Sequence, residues 1–110
     1  MLDKKHRLTK ELDIKKVFTN KKSIFGKYII VNFSKKDQSE SRFAFVVSNK
    51  TFKKAVDRNY YKRVLRSIIR ELLPTIVNNF DFVIVIKDSI KLIKFSEIKQ
   101  DCINLFNKIK

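Results

Sequence analysis

Residues 80–86, FDFVIVI, constrain the fold more than any other stretch of the chain. The run is almost wholly apolar, as expected for a strand in the central position of a sheet. Two further runs are β-branched and aromatic. Residues 27–34 (KYIIVNFS) and 42–48 (RFAFVVS) read as strands. In the second, Phe43, Phe45 and Val47 share one face, and Ala44, Val46 and Ser48 share the other. A polar turn over 35–41 joins the two runs and predicts a hairpin, with 23–25 as a short edge strand.

Helical spacing accounts for most of the rest. Thr9 is a good N-cap, Glu11 suits a first turn, and Leu12, Ile14, Val17 and Phe18 form an apolar side, so a short helix is predicted over about 10–19. Lys21, Lys22 and Gly26 break it. A long helix is predicted from about Lys53 to Leu73, stopped by Pro74, with Tyr61, Val64, Leu65, Ile68 and Leu72 on one stripe. Ser96 is predicted to cap a last helix whose buried stripe is Ile98, Cys102, Leu105, Phe106 and Ile109. The expected fold is α+β, a two-layer sandwich with the order helix–strands–helix–strand–helix and a small mixed sheet. No repeat or linker is visible. Residues 1–110 are expected to form a single domain, with 1–8 as a flexible basic arm.

A chain of 110 residues suits one core of modest size. It carries 26 Lys and Arg against 11 Asp and Glu, a formal net charge of +15, which makes sense if the partner is a polyanion. A membrane partner is not expected: the apolar runs are far too short to span a bilayer, and no N-terminal stretch has the apolar centre of a signal peptide. The single cysteine, Cys102, suits a reducing cytoplasm. The richness in Lys, Ile, Asn and Phe resembles proteins of AT-rich genomes, so clustering of charge says more than its total.

That clustering is sharpest over 50–70, KTFKKAVDRNYYKRVLRSIIR, where Lys50, Lys53, Lys54, Arg58, Lys62, Arg63, Arg66 and Arg70 face a single acid, Asp57. On a helical wheel Asn59, Lys62, Arg63, Arg66 and Arg70 lie across from the apolar stripe, with Arg58 at its boundary. One face is for the core and one for phosphates, which the planar guanidinium fork binds in pairs. A merely solvated face would mix charge signs to form pairs one turn apart. Most of the ten Phe and three Tyr belong in the core, Phe43, Phe45, Phe82 and Phe106 among them. Phe18, amid lysines, and Tyr28, beside Lys27, suit either the core or the border of an RNA groove. No protein-borne active site is expected. His6 has no second His to pair with, carboxylates are dispersed, so no metal site is assigned, and Cys102 falls on an apolar stripe.

The stretch KKAVDRNYYKRVLRSIIRE resembles the signature of the bacterial ribonuclease P protein component. That family carries Ala-Val, one residue, Arg-Asn-Arg, one residue, then Lys-Arg with another Arg three places on. Ala55, Val56, Arg58, Asn59, Lys62, Arg63 and Arg66 match in register. Arg7-Leu8, Val17-Phe18, Arg42, the run FVVSNK and Asp81 extend the likeness along nearly the whole chain. The chain departs from the pattern at four positions. Tyr60 replaces the third residue of Arg-Asn-Arg, Lys53 replaces a usual Gly, and Ile14 and Asn32 stand where relatives often have cleft aromatics.

The resemblance implies a four-stranded mixed sheet with a left-handed βαβ crossover, the ribosomal protein S5 domain 2-like fold. It implies a protein subunit that is not catalytic alone: the RNA subunit hydrolyses precursor tRNA with Mg2+ bound mainly through RNA, removing the 5′ leader. Expected partners are the ribonuclease P RNA and precursor tRNA, with neither membrane nor DNA. The leader would lie between the first helix and the sheet, with Phe18, Tyr28, Asn32 and Ser48 as candidate lining residues. A ribosomal or other structural RNA-binding protein shares the charge and size but does not explain the Arg-Asn…Lys-Arg spacing. A stand-alone nuclease would cleave RNA unaided.

Overall fold

The computed structural model describes residues 6–8, 11–19, 22–35, 40–47, 53–76, 80–86 and 94–109. The chain runs α1 (Glu11–Thr19), β1 (Ser23–Phe25), β2 (Ile29–Lys35), β3 (Arg42–Val46), α2 (Ala55–Leu72), β4 (Phe80–Ile86) and α3 (Phe95–Phe106). Pro74 sits in a single 3-10 turn, Leu73–Thr75, that ends α2. The predicted cap Thr9 lies outside the described residues.

The strands form one sheet in the order β1-β2-β4-β3. β2 and β4 are antiparallel, pairing Ile29 with Ile86 through to Lys35 with Phe80. β3 and β4 are parallel, with Phe43 opposite Phe82. The predicted hairpin of β2 and β3 is therefore wrong, because β4 inserts between them. The physical reason is the composition of β4. A central strand is covered on both faces and paired at both edges, and β4 is the one run whose residues are nearly all apolar. Its lone acid, Asp81, is neutralised in place: Arg42, its register partner on β3, donates from Nε and Nη2 to the two carboxylate oxygens at 3.0 and 2.9 Å. The expected short edge strand over 23–25 is β1, and it pairs with β2.

The sheet and the helices α2 and α3 are the two layers of the sandwich. Ile29, Val31, Phe43, Phe82, Ile84 and Ile86 from the sheet meet Tyr61, Leu65, Ile68 and Ile69 of α2 and Ile98, Cys102, Leu105 and Phe106 of α3. Phe43 and Phe82 stack at 5.2 Å, and Phe106 packs edge-on against both. The other sheet face carries a smaller cluster of Leu8, Val17, Ala44 and Val83, with Ile14 and Val85 packed against it. There α1 covers part of the sheet.

Two further expectations are corrected. Residues 6–8 are not a loose arm. Arg7 bridges to Phe43 in parallel, Leu8 N–H donates to the Phe43 carbonyl at 2.9 Å, and Leu8 is buried. His6 Nδ1 donates to the Ser41 carbonyl at 2.8 Å. One apolar residue among cations is enough to fix this segment along β3. Ser96 does not cap α3. The N-cap is Lys94, whose carbonyl accepts from Glu97 and Ile98, because α3 starts two residues earlier than expected. Its placement is set by tertiary contacts further along, at Glu97 and Asp101.

Candidate nucleic-acid interface

The long helix α2 has no side-chain cap, and Lys54 takes the N-cap position. Lys53 and Lys54 are exposed at its entrance. Arg58 is half-buried, and its Nη1 donates to the Lys53 carbonyl at 3.0 Å, folding the guanidinium back over the helix start. Asn59, Arg63 and Arg70 are exposed, while Lys62 and Arg66 are half-buried. The basic residues are therefore not centred opposite the core stripe. At 3.6 residues per turn, Arg58, Lys62, Arg66, Asn59, Arg70 and Arg63 fall in that order within about 140° of arc, beginning at the edge of the core. The other flank carries Ser67, Glu71 and Asp57. Glu71 accepts from Lys99 of α3 at 2.7 Å, so the acidic flank faces α3 and the basic flank faces away from it. Arginine stems resting on the core edge bury methylene groups while the guanidinium groups stay in water.

The opposite sheet face offers a second surface. Register aligns Phe25, Ile30, Val85 and Val46 in one row across all four strands. The neighbouring row, Ser23, Asn32, Val83 and Ala44, lies where Val17 and Ile14 of α1 pack. Phe25 and Val46 are exposed and Ile30 and Val85 half-buried, so this row is a largely uncovered apolar floor. On α1, Phe18 is exposed, as are Lys15 and Lys16.

Of the expected cleft residues, Asn32 lies on this face, and Phe18 is exposed on α1, the helix that packs there. Asn32 is 8% exposed and its amide is already engaged, accepting from Ser23 Oγ at 2.6 Å and donating to the Val83 carbonyl at 3.3 Å. Asn32 braces the floor and does not offer its amide to a ligand. Tyr28 goes elsewhere. Its hydroxyl donates to the Glu97 carboxylate of α3, its ring packs against the helix-side core, and Lys27 Nζ sits 5.3 Å from the ring centroid. The expectation that Tyr28 lines a cleft with Phe18 is not met, because a long-range hydroxyl contact claims it for α3. Lys50 and Ser48 lie outside the described residues.

Sequence reasoning missed Phe25, Ile30, Val85 and Val46. Strand alternation in β2 and β4 carries the signal for Ile30 and Val85. Phe25 and Val46 become floor residues only through the strand order. It also missed Asp101, buried on α3, whose carboxylate accepts from the backbone N–H groups of Lys27, Tyr28 and Ile29 at 3.0, 2.8 and 3.1 Å. Cys102 is buried in the helix-side core, where its place on the apolar stripe put it. Burial, with help from the Asp101 charge, pushes its thiol up to about 12, so no thiolate is available at neutral pH.

A flat apolar floor beside lysines, and a helix flank of arginines, can hold a flexible polyanion with unpaired bases. Comparisons with known proteins agree. A sequence profile of the family described as Ribonuclease P matches residues 2–110. The ribonuclease P protein component of Syntrophomonas wolfei is 33% identical over 108 residues, covering 98% of this chain and 90% of that protein. That of Fusobacterium nucleatum is 32% identical over 107 residues, covering 94% and 96%. The ribonuclease P protein of Thermotoga maritima superposes with a TM-score of 0.86 at 30% identity, over 94% of this chain and 97% of that one. The chain belongs to the bacterial ribonuclease P protein family, the protein component of an endoribonuclease whose catalytic subunit is RNA and which removes the 5′ leader of precursor tRNA.

Proposed function

We propose that this chain holds the ribonuclease P RNA with the basic flank of α2 and the 5′ leader of precursor tRNA in the groove between α1 and the open row of the sheet. The observation that carries this reading is the segregation of charge on α2, with arginines away from α3 and acids toward it. Cations that share one flank repel one another unless a polyanion docks, and each phosphate they neutralise releases counterions. The same neutralisation lowers repulsion between two RNA molecules that must approach closely. A leader varies in sequence, so a floor of Phe25, Ile30, Val85 and Val46 bordered by Phe18 suits it: every base has a π-face, and no base edge need be read.

Magnesium is assigned to the RNA. Among the described residues no three His, Cys, Asp or Glu side chains converge to hold a metal ion, and the flank of α2 repels a divalent cation. On this reading the chemistry that Mg2+ supplies, activation of water and stabilisation of phosphate charge, comes from ions held through the RNA. We place the complex in the cytoplasm. Among the described residues no helix is long and apolar enough to cross a membrane.

The test is precursor-tRNA cleavage by the cognate RNA at low magnesium, with and without the protein. Strong stimulation by the protein, with no cleavage by the protein alone, is the expected result. Tight RNA binding without stimulation would point instead to a structural RNA-binding protein.

A further inference from the structure

At the far end of the basic arc of α2, Val56 and Tyr60 belong neither to the core nor to the cations. Val56 and Tyr60 are one turn apart, and with Asn59 and Arg63 they occupy positions i, i+3, i+4 and i+7, a contiguous patch on a helix. All four side chains are exposed, Val56 at 73% and Tyr60 at 48%. The Tyr60 ring is not loose. It meets the ring of Tyr61 at 5.1 Å and 81°, and Tyr61 is buried in the helix-side core. An aromatic ring braced by the core and left open to water, beside a guanidinium, has the makings of a stacking surface. The patch is too small for a protein interface, which needs a much larger area. The cations beside it select a nucleic acid.

We propose that Tyr60, supported by Val56 and Tyr61, is a stacking platform for one unpaired RNA base, with Arg63 holding an adjacent phosphate. The proposal rests on the reading that the basic flank of α2 binds RNA. It assigns a separate role to a residue outside that flank's charge. Stacking on an aromatic ring is sequence-tolerant and contributes no counterion release, so its signature differs from that of the arginines.

The sequence contains no Trp, so Tyr60→Trp introduces a single indole where the base is expected. The probes are a ten-nucleotide oligoadenylate and a ten-base-pair RNA duplex, titrated across a range of salt. Quenching of the indole by the single strand and not by the duplex is expected. Tyr60→Ala should weaken single-strand binding by about 5- to 100-fold, with the slope of log affinity against log salt unchanged. Tyr60→Phe should bind like the wild type, because stacking needs no hydroxyl. Arg63→Ala should instead flatten the salt slope by about 0.7. The proposal is overturned if Tyr60→Ala binds the single strand normally, if it changes the slope as Arg63→Ala does, or if the indole is not quenched. If the wild type binds neither probe, the RNA-binding reading of α2 fails and this one fails with it. If only the Arg63 signature appears, that reading stands and the platform alone is refuted.

Discussion

The contact between Gly26 and Asp101 makes a quantitative prediction about what fastens α3 to the sheet. Asp101 is 7% exposed and accepts three backbone N–H bonds from the turn that enters β2. Gly26, one residue before those donors, closes the turn with its own N–H on the Ile29 carbonyl at 2.8 Å. A Cβ built on Gly26 would lie 2.6 Å from both Asp101 carboxylate oxygens, and its φ is outside the left-handed region. Glycine is therefore required here by the close approach of Asp101 and not by backbone conformation. Asp101→Ala leaves three amide donors without their acceptor. Each charge-assisted bond contributes about 1.5–3 kcal/mol, and water at the rim recovers part, so a loss of about 3–5 kcal/mol is expected. Gly26→Ala pushes the carboxylate off its donors and should cost about 2–4 kcal/mol. In the Asp101→Ala background the added methyl group meets no carboxylate, and its cost should fall below about 1 kcal/mol, helped by the smaller backbone entropy of unfolded alanine. The double-mutant cycle should thus show a coupling of at least about 1 kcal/mol, within the range of measured pairs in contact. Urea unfolding followed by far-ultraviolet circular dichroism measures all four proteins. Equal costs of Gly26→Ala in the two backgrounds would refute the reasoning.

Three other outcomes follow from the contacts described. Arg42→Ala should cost about 2 kcal/mol by leaving Asp81 buried without its partner, and Arg42→Lys should recover little, since an ammonium cannot make the two-point contact; urea midpoints decide it, and full recovery by Lys would argue for simple charge pairing. The Cys102 thiol, ordinarily at 9.0, is pushed up to about 12 by burial and then by the Asp101 charge. Between those values the unfolded chain loses this proton and the folded chain keeps it, so stability is fully present below about pH 9 and falls by about 1.4 kcal/mol per pH unit above it. Cys102→Ala should remove that part of the slope, and identical slopes in the two proteins would count against a buried, protonated thiol. Phe18→Ala should weaken binding of precursor tRNA by about 5-fold or more while leaving mature tRNA unaffected. Equal losses for both, measured by filter binding with the holoenzyme, would remove Phe18 from the leader groove.

The elements that were legible in the sequence are those whose burial is one-sided or complete. Residues 80–86 emerge with the expected bounds because an apolar run that long has nowhere else to go. The stripe of α3 is as read, and that of α2 differs only at its end, where Ile69 is buried and Leu72 partly so, since helical spacing reports the buried face directly. The pairing of β2 with β3 was misread because neighbours in sequence usually pair, and nothing local shows that a strand arriving after α2 outcompetes them. The basic flank of α2 was legible as a cluster, but its centre was displaced, because Lys62 and Arg66 rest against the core edge. Tyr28 and Asp101 were illegible for a common reason. Their partners, Glu97 and the 27–29 backbone, are roughly seventy residues away along the chain, and no local pattern encodes such a contact.

Those same long-range contacts explain how so basic a chain folds at all. A net charge of +15 works against compaction, and only 11 acids oppose 26 cations. Four acids join elements of the fold: Asp81 neutralises Arg42 on β3, Asp101 caps the turn into β2, Glu97 holds Tyr28, and Glu71, on the surface, ties α2 to α3 through Lys99. These four acids lie at seams between elements, and the arginines of α2 occupy the flank turned away from Glu71. A chain that scattered its acids over the surface would fold with less repulsion but would present RNA with a field of mixed sign. Here the few carboxylates stabilise the scaffold, and the same placement leaves the α2 flank positive.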